Sequence, residues 1–221
     1  MKNITSFLVL AGLLFGSATY GATPVTGKLI ALDAGHGGTE TGAYNAAYNV
    51  YEKDVNLDVV LALKAKLEAD SANVVLTREG DETMDSRKSR VDLAIEKCNT
   101  LYGRKCDILV SVHHNGNSDP THDGTLVIYN EKKDIPLARA LHDALIAGLG
   151  LNDEGYLHGG YGMTVYGNLV SAITEAYYIT NNDEAQAWKA GTRTTQEVKA
   201  LYTGLINYFS SSGGGGKPRG K

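Results

Sequence analysis

Four short stretches of this 221-residue chain carry side chains suited to hydrolytic chemistry. The first is LDAGHGG, Leu32 to Gly38, which follows the apolar run KLIAL and sets His36 before a pair of glycines. A buried strand that breaks into such a loop presents its imidazole at the strand's carboxyl end, the edge where open α/β sheets bind ligands. The second stretch holds Glu52 in VYEKD, the third the adjacent His113 and His114 in SVHHN, and the fourth Glu175 in AITEAYYITN. Two imidazoles and one carboxylate are the donors of a hydrolytic zinc site, which keeps a coordination position open. The second carboxylate is then free to move the protons of an amide hydrolysis.

These groups need elements to place them. From Lys53 the apolar period changes, with Leu57, Val60, Leu61, Lys64 and Leu67 at helical spacing, so Glu52 stands at the entrance to an amphipathic helix. The helix dipole alone favours an acid there, and it also keeps that acid ionised, as a metal ligand must be. NVVLTR reads as a strand ending at Arg78, DILVSVHHN and GTLVIYN (124–130) as two more, and SAITEAYY as the last. Helical patterns fall at 134–150, with Leu137, Leu141 and Leu145 on one face, and near the end of the chain. That closing helix carries Val198, Leu201, Tyr202, Leu205 and Phe209 on one side and Trp188, read as core, earlier on. Strands alternating with helices predict a single α/β domain: a twisted, mostly parallel sheet of about six strands with helices on both faces. A central strand in such a sheet is apolar on both faces, so alternation does not choose between His113 and His114. The Gly- and Tyr-rich segment 156–168 reads as a loop, either lining a groove with stacking rings or simply connecting elements. His122 and His142 read as solvated, and His158 as a bystander.

The same residues resemble the zinc-dependent N-acetylmuramoyl-L-alanine amidase family (amidase 3 type), from about Lys28 to Phe209. SVHHN aligns with the family's Ser-Ile/Leu-His-Ala-Asn, which makes His113 the ligand and puts His114 at the Ala position, as a group supporting the metal ligands from behind, a substrate-facing group or an exposed loop residue. Glu175, Tyr178, Ile179, Thr180 and Asn181 match the family's Val-Glu-x-Gly-Phe-Ile/Leu-Ser/Thr-Asn, with Tyr177 in place of Gly. The resemblance implies zinc on His36, Glu52 and His113, Glu175 as general base and acid, and Arg78, His114 and Asn115 as substrate contacts. A structural ion pair is the competing reading of Arg78. Arg87 and Arg90 follow Asp81 at a spacing slightly longer than the family's. The implied substrate is peptidoglycan, cut at the amide between N-acetylmuramic acid and L-alanine of the stem peptide. Residue chemistry alone stops at a zinc amide hydrolase. A zinc peptidase acting on wall peptides and a non-catalytic peptidoglycan-binding protein are the competing readings, although the latter should have lost a ligand or the base. Only 62 positions separate His113 from Glu175, which leaves little room for the long autoinhibitory helix of some relatives.

Bulk properties set the surroundings. With 43% hydrophobic residues the chain suits one well-buried domain rather than two. Residues 1–22 hold Lys2, an apolar run from Phe7 to Phe15 and then small residues, the pattern of a secretory signal peptide cleaved near 18–22. Its removal leaves 20 Lys and Arg against 25 Asp and Glu, a net charge of −5 that argues against a nucleic-acid partner. The catalytic domain then spans 23–209, and SSSGGGGKPRGK from Ser210 reads as a flexible basic tail. The expected protein is exported, periplasmic or secreted, monomeric, and without a membrane span once the signal is removed. In such a chain Cys98 and Cys106 suggest a disulfide, with two unpaired thiols the alternative.

Overall fold

Strands that are apolar on both faces call for a sheet covered on both sides. The computed structural model, which describes residues 21–213, supplies one. β1 (Leu29–Ala34) leads through a small hairpin, β2 (Tyr44–Asn45) and β3 (Val50–Tyr51), into α1 (Glu52–Ala69). β4 (Asn73–Leu76), α2 (Arg87–Tyr102), β5 (Ile108–Asn115), β6 (Thr125–Tyr129) and α3 (Ile135–Leu149) follow. The chain continues through β7 (Asp153–His158), the single turn α4 (Gly162–Val165), β8 (Ser171–Tyr178), α5 (Asn182–Lys189) and α6 (Thr192–Gly213). The main sheet has the order β4-β1-β5-β8-β6-β7. Every neighbouring pair in it is parallel except β6 with β8, so the expected mostly parallel sheet is present.

Strand alternation sorts the core into two layers. Ile30, Leu32, Val110 and Val112 pack with Val59 and Leu63 of α1, Leu141 of α3 and Leu201 of α6. Leu29, Ala31, Leu109 and Ile173 point the other way, towards Val91 and Ala94 of α2. Helix α6 lies close against α3, because a Cβ at Gly204 would come within 2.9 Å of the Ala140 carbonyl oxygen. A disulfide joins Cys98 in α2 to Cys106 just before β5. No helix among the described residues is long and apolar enough to cross a membrane.

The structure corrects several local expectations. The buried face of α1 runs through Glu52, Val55, Asn56, Val59, Val60, Leu63 and Leu67, and Leu61 is exposed. Two polar residues belong to that inward stripe, so apolar spacing alone shifts the apparent face. The first part of 156–168 is not a loop, since β7 pairs with β6 as the sheet's edge. Its sequence, DEGYLH, lacks the apolar run that marks an interior strand. The closing helix is two helices parted at Gly191, which takes a left-handed φ of 74°, and Trp188 is only half-buried. Helix α6 runs past Phe209 to Gly213, so residues 210–213 are helical where a flexible segment is expected from Ser210. The rest of that tail, and the signal-like segment through residue 20, lie outside the described residues.

Candidate metal and catalytic site

The loop after β1 turns through three successive left-handed residues, His36 (φ 61°), Gly37 (φ 136°) and Gly38 (φ 58°). A histidine in that region is uncommon and needs surrounding structure to hold it. Lys53 supplies part of that support, donating to the Gly38 carbonyl at 3.0 Å and pairing with Asp81 at 2.6 Å. Asp81 in turn accepts from the Gly38 amide at 2.7 Å. Arg78 supplies more. Its guanidinium is buried and donates to the carbonyls of Ala34, Gly35, Lys53 and Gly80 at 2.7–3.0 Å. Arg78 is therefore a clamp on the loop and not a substrate contact, and its partners are carbonyls where an ion pair was the alternative.

Beneath the loop lies Asp33, fully buried. It pairs with Arg90 at 2.8 Å and accepts from the hydroxyls of Thr77 and Ser111, each at 2.6 Å. Burial alone would push its carboxyl up, but the Arg90 charge and the two hydroxyls together hold it below the usual range. Arg90 also donates to the carbonyls of Ala34 and His36, which ties α2 to the loop.

Three donors converge above this base. His36 Nε2 lies 3.2 Å from Glu52 Oε2, and His113 Nδ1 lies 3.0 Å from Glu52 Oε1. The three donor atoms all fall within 4.8 Å of one another, and no other such trio of His, Cys, Asp or Glu occurs among the described residues. Glu52 reaches the cluster from the first turn of α1, and its carboxylate also accepts from the amides of Ala43 (2.9 Å) and His114 (3.2 Å). Burial would raise its carboxyl, yet His113 and His36 hold it well below the ordinary carboxylate range. Two glycines leave room for the cluster. A Cβ at Gly35 would fall 2.3 Å from the His113 ring, and one at Gly42 would fall 2.3 Å from Glu52 Oε2. Two imidazole nitrogens and one ionised carboxylate fit zinc, the ion such sets hold with a position left open. The open side is the imidazole side, where His36 and His113 are 27% and 20% exposed against 5% for Glu52.

That side faces a groove of about 990 Å³. Its floor is the sheet face formed by Leu126, Ile128 and Ile173, and its rim carries Arg87 from α2 and Tyr161 and Tyr166 about α4. Glu175 also lines it. In β8 it is the register partner of His113, so the two side chains leave neighbouring strands on the same face. Glu175 Oε2 is buried without a hydrogen-bond partner. Burial pushes this carboxyl up to about 7, with His113 opposing the rise and Glu52 adding to it.

The structure thus brings His36, Glu52, His113 and Glu175 together and leaves Asn115 at the groove wall. It separates the two neighbouring histidines. His113 faces the groove, whereas His114 points into the core and is 1% exposed, so it is neither a substrate contact nor a loop residue. Its ring nitrogens bond to Asn56 (2.6 Å) and Glu197 (2.9 Å). His142 is likewise buried, on Asp153, rather than solvated. His122 keeps substantial exposure and pairs with Glu154, and His158 lines the groove. Asn56 and Glu197 escape a reading by motif. Their one local sign is a polar residue on the buried face of a helix, Asn56 one turn after Glu52 and Glu197 beside Val198.

Comparison with known proteins bears on this geometry. Residues 30–207 match the family model Amidase_3, described as N-acetylmuramoyl-L-alanine amidase. The chain belongs to this amidase family. It is 28% identical over 218 residues to the N-acetylmuramoyl-L-alanine amidase LytC of Bacillus subtilis (strain 168), a match covering 94% of this chain and 41% of LytC. It thus spans about two-fifths of that relative. The germination-specific N-acetylmuramoyl-L-alanine amidase of the same organism is 27% identical, over 86% of this chain and 83% of its own length. Among solved structures, an N-acetylmuramoyl-L-alanine amidase from Clostridium difficile 630 superposes with a TM-score of 0.75 at 26% identity, covering 84% of this chain and 98% of that one. The amidase AmiC2 of Nostoc punctiforme shares the fold, with a TM-score of 0.73 at 24% identity over 86% and 99% of the two chains.

Proposed function

We propose that this chain is a peptidoglycan hydrolase that cuts the amide between N-acetylmuramic acid and L-alanine of the stem peptide. In this reading His36, Glu52 and His113 hold zinc, and Glu175 acts first as base and then as acid. One observation carries it: a half-buried carboxylate with one buried, unpartnered oxygen stands beside three converged metal donors in a groove. Zinc in such a site supplies Lewis acidity, making water a competent nucleophile near neutral pH and polarising the scissile carbonyl. Glu175 Oε2 accepts the proton of the attacking water and returns it to the departing amide nitrogen, converting a poor leaving group into a neutral amine. The apolar floor and tyrosine rim take the flanking peptide and sugar, and Asn115 at the wall contacts the substrate.

The same reading places the protein outside the cytoplasm, periplasmic or secreted, as a monomer. Residues 1–22 serve as its signal peptide, 23–209 as the catalytic domain, and the last residues as a basic tail. The Cys98–Cys106 bridge agrees with an oxidising destination.

Digestion of purified peptidoglycan, with and without a chelator, tests the proposal. Free intact stem peptides and unmodified glycan strands, released only when metal is available, are the expected products. Cut peptides would instead identify a zinc peptidase, and binding without products would identify a wall-binding protein.

A further inference from the structure

The metal donors are tied to the far side of the core by a short buried chain of polar groups. Asn56 lies one turn along α1 from Glu52. Its side-chain amide donates to Glu52 Oε1 at 3.3 Å and to the Gly35 carbonyl at 3.0 Å. Both partners are acceptors, so the amide's nitrogen faces them and its oxygen faces His114 Nδ1, 2.6 Å away. A carbonyl oxygen only accepts, and the Nδ1 hydrogen therefore belongs to His114. The other ring nitrogen meets Glu197 Oε2 of α6 at 2.9 Å, an arrangement that requires a proton between them. Every bond in the chain can thus point its hydrogen towards Glu52. Asn56 and Glu197 are fully buried, His114 nearly so, and no bulk water competes for these bonds. The fully buried ring of Tyr177 covers the imidazole, with centroids 4.3 Å apart.

We propose that His114 and Glu197 are positioning residues for the metal site: through Asn56 they fix the orientation of Glu52 and so couple zinc affinity to helix α6. Ordered outer partners of a ligating carboxylate hold its lone pairs on target, and their loss typically lowers metal affinity about 10–100-fold. A well-packed apolar core would serve stability at least as well as this buried pair, because taking charged or polar groups out of water is costly. Stability alone therefore does not account for it. The inference rests on the zinc reading of His36, Glu52 and His113.

The test measures zinc affinity by competition with a chromophoric chelator, together with the melting temperature of the metal-free protein. Wild-type protein is measured first. Failure to bind one zinc per chain would defeat the metal reading itself, independently of the variants. Glu197→Leu is expected to lose about 10–100-fold in zinc affinity. Glu197→Gln is expected to stay near wild type, since its amide can donate to Nε2 and leave the hydrogen on Nδ1. The double variant His114→Leu with Glu197→Leu should regain the thermal stability lost in the single variant while zinc affinity stays low. Wild-type affinity in the double variant would overturn the proposal, as would a loss in Glu197→Gln equal to that in Glu197→Leu. Should the leucine variants not fold, Glu197→Asp decides the matter by withdrawing the carboxylate one methylene. Weakened zinc binding supports the coupling, and unchanged binding ends it.

Discussion

Glu52 and Glu175 flank the same donor cluster from α1 and β8, and their surroundings drive their carboxyls in opposite directions. Glu52 is saturated: two imidazoles, two backbone amides and Asn56 converge on its oxygens and keep it ionised. Glu175 has an oxygen with no partner, and burial lifts it to about 7. Two acids pushed apart in this way indicate two roles, one group held as an anion and the other able to exchange a proton near neutral pH. The contrast arises from placement. The Ala43 amide of the preceding loop, the His114 amide of β5 and the Asn56 side chain all reach Glu52, whereas Glu175, set between Leu126 and His113 on its neighbouring strands, keeps an oxygen that none of them reaches.

The largest test of this contrast removes the saturated side. Either Glu52→Ala or His113→Ala should abolish stoichiometric zinc and bring peptidoglycan hydrolysis to background, as read by elemental analysis and product release. Retention of zinc by His113→Ala with loss in His114→Ala would reverse the assignment of the two histidines. Next, Glu175→Gln should keep zinc and lower the rate roughly 10²–10⁴-fold, the usual share of general acid–base catalysis. Loss of zinc with the rate would make Glu175 a ligand instead. Stability gives this variant a second readout in the metal-free protein. An acid whose folded pKa is raised from 4.5 to about 7 favours folding below 4.5, and that contribution is lost as pH rises through 7. Metal-free Glu175→Gln should therefore be more stable than wild type at pH 8, with the gap closing towards pH 4; a pH-independent gap would contradict the raised carboxyl.

Asp33 extends the saturated side downward and can be broken through its partner. Arg90→Met leaves a buried charge short of its cation and should cost about 3–5 kcal/mol in chemical denaturation. Adding Asp33→Asn should recover part of that loss, and no recovery would mean that packing, not charge, dominates there. The smallest effect touches neither acid. Replacing Cys98 and Cys106 by serine should lower stability by about 2–3 kcal/mol and spare zinc content and rate, and thiol titration of the unfolded wild type should find no free thiol.

The strands that end at the site are legible in the sequence because they are runs of apolar residues broken by motif residues with special chemistry. β1, β5 and β8 are each visible in this way, and so is the entrance of α1 at Glu52. What sequence does not reveal depends on who the partner is. Arg78 spends its donors on four carbonyls, and a carbonyl carries no residue-type signature. The distinction between His113 and His114 rests on which sheet face holds a groove and which holds α1 and α6, a fact of topology. β7 is hidden because an edge strand needs no apolar run, and Asn56 and Glu197 because each has meaning only through the other's contacts.

The groove floor has one more consequence. Leu126, Ile128 and Ile173 line the groove and also belong to the core layer that packs on α2. Trimming one of them to widen the cleft would leave a void in that layer, a change that typically costs about 2–5 kcal/mol for a leucine or isoleucine cut back to alanine. Tyr161, Val165 and Tyr166 on the rim are 40–53% exposed and carry far less of the core. Substitutions that reshape the groove at least cost to the fold therefore fall on the rim between β7 and β8. The floor stays bound to whatever shape keeps the sheet folded.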